Sequence, residues 1–222
     1  MTTTTISDKT IRDFKRIRIQ IMRHKKFLEL GPVMMVGSRK LDTSVTTACT
    51  NGRDEYYNPE FLFQWGDKEA GFIILHENYH KAARHLEIYQ TLHKIDARRA
   101  NMACDYWING KLVDADPNNE IIAMPRDAEG NPIGCFDPMF KGWTVKQIFD
   151  YLKVEGGWPR RKGGDEGGSD GGESDRGKEG KGGDSKGKGN GDGVMDDHDW
   201  DGAKGMTEEE KQELKREIEQ AL

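Results

Sequence analysis

The sequence predicts an α+β domain with a small β-sheet and one central helix, followed by a disordered Gly-rich linker and a C-terminal helix. Three observations carry that prediction. Apolar residues recur at helical spacing near the N-terminus, two β-prone runs flank Asn51-Gly52, and apolar content collapses after residue 155. The chain has 222 residues, enough for one ordinary domain. Of its 27 glycines, 18 fall between Gly156 and Gly205, where little can be buried. The predicted organisation is therefore a domain over 1–155, a flexible Gly/Asp/Lys-rich linker over 156–206 and a helix over 207–222.

Each element has a local signal. Ile11, Phe14, Ile17, Ile21 and Leu28 form an apolar stripe, which predicts a helix over 8–29. Its opposite face is basic, with eight Lys/Arg against two Asp in residues 8–26, and reads first as a solvated face. Gly31-Pro32 ends that helix, because proline lacks the amide and restrains the residue before it. Val33-Met34-Met35-Val36 then reads as a short buried strand. Asn51-Gly52 between Thr46–Thr50 and Arg53–Tyr57 is a hairpin signal, since both turn positions want positive φ. Asn58-Pro59 opens a short helix to Gln64 as N-cap and first-turn proline.

Asp67 caps a helix placed at 68–88, and a turn near Tyr89–His93 leads to a second helix at 95–112. Residues 113–143, punctuated by three prolines in turn contexts, read as loop. Thr144-Val145-Lys146-Gln147 is a capping-box pattern that opens a helix over 145–153. Thr207-Glu208-Glu209-Glu210 opens the last helix, which breaks off mid-pattern without a C-cap, as expected of a chain that is one part of a longer architecture.

Composition also excludes functions. Residues 1–155 carry 22 Lys/Arg against 21 Asp/Glu, so the body gives no general reason to expect nucleic acid or an anionic membrane as partner. No apolar run approaches the about 18 residues of a membrane span. The N-terminus lacks the apolar core of a secretory signal, and Cys49, Cys104 and Cys135 cannot all pair within one chain. Both facts point to a reducing, cytoplasmic location.

The chemistry lies in residues 71–85, GFIILHENYHKAARH, which contain His76-Glu77-Asn78-Tyr79-His80, an HExxH pattern. Positions i and i+4 share a helix face, so two imidazoles can meet one Zn²⁺ at about 2.0–2.1 Å. Glu77 sits about 100° round, outside that tetrahedron but within reach of a metal-activated water. Its role is that of catalytic base. The apolar turn Phe72–Leu75 buries this helix, and histidines beside a core need partners. Lys81, directly after His80, breaks the apolar pattern expected there.

A catalytic zinc site needs a third protein ligand. His85 would lie half a turn away on an unbroken helix, and His93 and Asp96 would sit roughly 15 Å beyond the histidine level. Asp105 is better placed. An antiparallel helix partner at about 8–10 Å brings its carboxylate opposite His76 and His80. Asn101 and Asn109, at i−4 and i+4, become candidates to hydrogen-bond the ligands.

The run HENYHKAARH followed by ANMACDYWING resembles the metallopeptidase-domain family often joined to a von Willebrand A-like domain. TNGRDEYYNPEF and GCFDPMFKGWTVKQIFDYL are also similar to it, so the resemblance spans roughly residues 10–155. It implies a zincin-like fold and zinc-dependent peptidase activity on a peptide or protein substrate. By position it implies His76 and His80 as ligands, Glu77 as base and Asp105 as the acidic residue of the second helix. The chain departs from the family at Lys81 and in having no von Willebrand A-like domain after the linker.

Alternatives remain open. One is a catalytically inactive zincin-like binding module that recruits a protein partner through the cleft and the C-terminal helix. The other is nucleic-acid binding by the basic first helix. The hairpin over 46–57 is expected to offer an edge strand to which an extended peptide could add. Tyr56, Tyr57 and Tyr106 read as packing rather than carbonyl polarisers, and Cys104 as a small buried residue. Cys49 and Cys135 have no CxxC partner. The run Asp196, Asp197, His198, Asp199 and Asp201 reads as solvated and acidic.

Overall fold

A computed structural model describes residues 6–154 and 198–222. The sequence-predicted linker lies outside the described residues as far as residue 197.

Helix α1 spans Asp8–Arg23, capped by the Ser7 hydroxyl, which accepts the Thr10 amide. It buries Phe14, Ile17 and Ile21, as its stripe predicts, but ends at His24, whose backbone is extended. The strand expected at Val33–Val36 is a 3-10 turn over Val33–Met35. Pro32 sits in the helical region and its carbonyl accepts the Met35 amide at 2.9 Å, so the segment closes its own hydrogen bonds instead of pairing. Val33 and Met34 are buried while Met35 is exposed, a pattern that a short apolar run does not reveal.

The sheet has three strands in the order β1-β3-β2: Arg39–Leu41, Glu55–Tyr57 and Ala48–Thr50. β1 runs parallel to β3, and β2 antiparallel to it with Ala48 opposite Tyr57 and Thr50 opposite Glu55. The predicted hairpin is therefore present, and β2 is its edge. Its loop holds four residues rather than two, because the Asn51 side-chain oxygen accepts the amides of both Arg53 and Asp54. β1 had no sequence signal: three residues, none fully buried, leave no alternation to read.

Short helix α2, Pro59–Leu62, is capped by Asn58 as predicted. The central helix α3 spans Asp67–Ala82 and is buried along nearly its whole C-terminal three turns. Gly71 lets α1 and the Ile122 loop approach it: a Cβ there would lie 3.2 Å from Ile122 Cγ2 and 3.4 Å from Ile21 Cδ1. The continuous helix expected to 88 instead breaks at Arg84, which is left-handed at φ 51°. Helix α4, His85–Ile88, follows the break inside the expected helix, and α5, Gln90–Ile95, stands where the turn was expected.

Helix α6, Ala97–Ala115, is capped by Asp96 and returns antiparallel to α3. Helix α7, Val145–Val154, packs on α6 and closes a second core around Tyr106, Phe140, Ile148 and Phe149. Residues 198–222 then rejoin the body as α8, Trp200–Gly205, and α9, Glu208–Ala221. The Thr207–Glu210 capping box of α9 is present on both sides. The far end of the expected linker is thus helical and packed: Trp200 and Ala203 join Leu86 in a small third core. The C-terminal helix, expected to recruit a partner, buries Leu214 and Ile218 on its own chain and pairs Glu217 with Arg53 at 3.0 Å. Among the described residues no helix is long and apolar enough to cross a membrane.

Candidate metal centre

The α3–α6 pairing does what the antiparallel register predicts. Asp105 Oδ1 lies 3.2 Å from His80 Nε2 and 3.5 Å from His76 Nε2. The two imidazoles approach at 3.1 Å through their Nε2 atoms. A fourth group completes the cluster from outside the domain boundary drawn on sequence. His198 Nε2 stands 2.8 Å from His80 Nε2 and 3.6 Å from Asp105 Oδ1. One ligand atom from each of His76, His80, Asp105 and His198 falls within 4.8 Å of the other three, and all four residues are buried.

His198 corrects the reading of 196–201 as a solvated acidic run. Asp196 and Asp197 lie outside the described residues, but Asp199 caps α8 by accepting the Gly202 amide at 2.7 Å. A signal was available. Trp200 and Ala203, spaced i,i+3 after a capping Asp, are the mark of a helix with something to bury.

Orientation is set by neighbours. Asn109 Nδ2 donates to the Cys135 carbonyl at 3.0 Å, which turns its Oδ1 towards His76 Nδ1 at 2.8 Å. His76 must then carry its proton on Nδ1, which leaves the Nε2 lone pair facing the cluster. Asn101, the other candidate, instead accepts the Trp200 indole N–H at 3.3 Å. Glu77 is fully buried next to the cluster, with Oε2 3.5 Å from His198 Nδ1.

Burial holds His80 well below the ordinary imidazole range, and His198 and His76 push it the same way against Asp105. Burial alone would raise the Asp105 carboxyl, but contacts with His198, His76 and His80 hold it well below its usual range. Near neutral pH the cluster thus presents a neutral imidazole and an ionised carboxylate, the protonation states that metal ligands need.

These groups fit a cation better than they fit one another. His80 Nε2 makes three close contacts, and one imidazole nitrogen can offer at most one hydrogen or one lone pair. Asp105 Oδ2 is buried without a hydrogen-bond partner among the described residues. A shared cation satisfies the converging lone pairs together.

The other candidates fall elsewhere. His85 does come near, because the Arg84 break swings it to 5.2 Å from the His80 ring, yet it stays outside the four-residue cluster. Burial lowers its pKa to about 3. His93 stacks on Trp200 at 4.4 Å, and Asp96 caps α6. Tyr57 donates to Glu55, and Tyr106 packs on Phe140. Lys81 explains itself: its ammonium is buried against Glu55 and donates to the Val36 carbonyl at 2.8 Å. Glu55 also accepts the Tyr57 hydroxyl at 2.7 Å and the Asn78 amide at 3.2 Å.

The fold and this cluster define an α+β protein with a buried His/Asp group able to hold a metal ion. The family described as "Putative metallopeptidase domain" matches residues 28–222, and the chain belongs to that family. The match runs through α8 and α9, so the family's extent includes the segment that carries His198. No curated protein and no solved structure matches the chain.

Proposed function

We propose that the protein is a zinc-dependent metallopeptidase of zincin-like architecture that hydrolyses peptide bonds in a cytoplasmic peptide or protein substrate. The observation that carries this reading is the convergence of His76, His80 and Asp105 on one point, with Glu77 buried beside them. Three nitrogen and oxygen donors of this kind are the donor set of hydrolytic zinc rather than of a sulfur-rich structural site. Bound zinc would supply Lewis acidity, polarising a carbonyl and acidifying a water towards pKa about 7.

The chain's own residues supply the rest. His76 and His80 offer Nε2, and Asn109 fixes the His76 tautomer. The Glu77 carboxylate takes the proton of the attacking water and returns it to the leaving amine. That carboxylate is fully buried beside the histidines. The edge of β2 offers backbone groups to an extended substrate.

The test is Glu77→Gln. Metal content measured by elemental analysis should stay at that of wild type, while peptide hydrolysis should fall by about 100-fold or more. Unchanged turnover in that variant would refute the assignment. A second reading, a catalytically silent metal-stabilised module, is favoured by one observation: with His198 there are four protein donors, the closed complement of structural zinc.

A further inference from the structure

We propose that residues 198–222 are a releasable closure of the centre, with His198 holding the position that substrate or water must take. The inference rests on the metal reading above and resolves its conflict between three donors and four. Three donors come from α3 and α6, which are anchored in the two large cores. The fourth comes from a segment held quite differently.

The residues it buries are His198, Trp200, Ala203, Leu214 and Ile218. Trp200 and Ala203 form a small core with Leu86, separate from the two large ones. Trp200 adds its hydrogen bond to Asn101 and its stack on His93. Ion pairs add ties at the rim. Arg53–Glu217 leaves both side chains more than a third exposed, at 37% and 36%, and Arg84–Glu219 spans 3.9 Å. Such pairs contribute little. Between the segment and the body lies a cleft of about 440 Å³, bordered by Asn51, Arg84 and Gln90 on one side and Met206, Lys211 and Leu214 on the other. The seam is therefore not packed like a core.

The same segment blocks the substrate's backbone site. The Asp199 amide donates to the Thr50 carbonyl at 3.1 Å, on the exposed edge of β2. His198 and Asp199 thus occupy both features a peptide would need, the open coordination position and the strand edge. With the segment in place, His76, His80 and Asp105 are each at most 1% exposed among the described residues. Lifting the segment uncovers both at once and leaves His76, His80, Asp105 and Glu77 in place.

The experiment loads full-length protein with cobalt(II), whose visible spectrum reports ligand number, and titrates acetohydroxamate as the exogenous ligand. Three variants accompany wild type: His198→Ala, which removes the donor, and Trp200→Ala and Glu217→Arg, which weaken docking without touching a donor. Glu217→Arg alters only the exposed rim, so its fold is secure, and circular dichroism checks the others. If the closed form holds 99% of wild type, release tightens apparent hydroxamate affinity by about 100-fold. The expected result is a weak wild-type response and a tighter one in all three variants. Equal affinity in wild type and variants overturns the closure, as does a centre that refuses hydroxamate even in His198→Ala. Failure of wild type to take up cobalt overturns the metal reading itself, and the closure with it.

Discussion

The centre depends on single residues that hold other residues in one protonation state. Asn109 is the clearest, because its amide faces the Cys135 carbonyl on one side and His76 Nδ1 on the other. Asn109→Ala should lower zinc affinity by about 10–100-fold in a competition assay with a chromophoric chelator, while the fold persists. Asn109 was readable as a helper from its i+4 spacing to Asp105; the choice between Asn109 and Asn101 was not, since it turns on Trp200 reaching Asn101 from a distant segment. Lys81 teaches the same lesson in charge. On sequence it is a lysine where an apolar residue belongs, and its partner Glu55 lies 26 positions away on β3. Glu55→Ala leaves an ammonium buried without its carboxylate and should cost about 3–5 kcal/mol in urea unfolding. Glu55→Leu combined with Lys81→Met should recover only part of that loss, because it removes both buried charges but leaves the Tyr57 hydroxyl and the Asn78 amide without this acceptor.

Among elements, the helices with capping signals and periodic stripes were legible: α2, α6, α7 and α9 lie within a few residues of their predicted bounds, and α1 starts as predicted but stops at Arg23 rather than running to 29. Two misreadings concern backbone conformation. Neither the 3-10 turn at Val33–Met35 nor the left-handed break at Arg84 shows in the apolar pattern, which reports burial and not backbone angles. The loop after α6 shows a local device that works through charge. The Asp116 carboxylate accepts the amides of Glu120, Ile121 and Ile122 and pairs with Lys26 beyond α1. Burial opposes its ionisation, yet those donors prevail and lower its pKa to about 2. An unfolded chain holds that proton near pH 3.9. The sign follows: above pH about 3.9 the contribution is fully present, and it is lost as pH falls towards about 2. Urea unfolding followed from pH 7 to pH 2 should show this acid limb, and Asp116→Asn should flatten it and lower stability at pH 7 by about 2 kcal/mol.

Across the whole molecule, the site was half legible. His76, Glu77, His80 and Asp105 follow from helix spacing and an antiparallel pair, which are local rules extended by one step. His198 follows from no spacing rule, because it stands 118 residues after His80 in the chain. Residues 198–206, placed in the linker on sequence, carry α8, whose Trp200 and Ala203 pack against Leu86. Removal of metal should act unevenly on such a molecule. With a chelator present, amide hydrogen exchange in α8 and α9 should accelerate strongly, whereas the amides of α3 and α6 in the large cores should change little. Uniform acceleration throughout would mean that the metal holds the entire fold rather than this seam.

The distance along the chain between His80 and His198 also has a consequence in time. His198 is made 118 residues after His80, a delay of roughly 6–24 s at 5–20 residues per second of synthesis. For part of that interval the nascent chain carries the donors of α3 and α6 without the one that closes over them. On the closure proposed above, a newly made chain therefore carries three donors before the fourth exists, and metal supplied in that interval would meet an open centre.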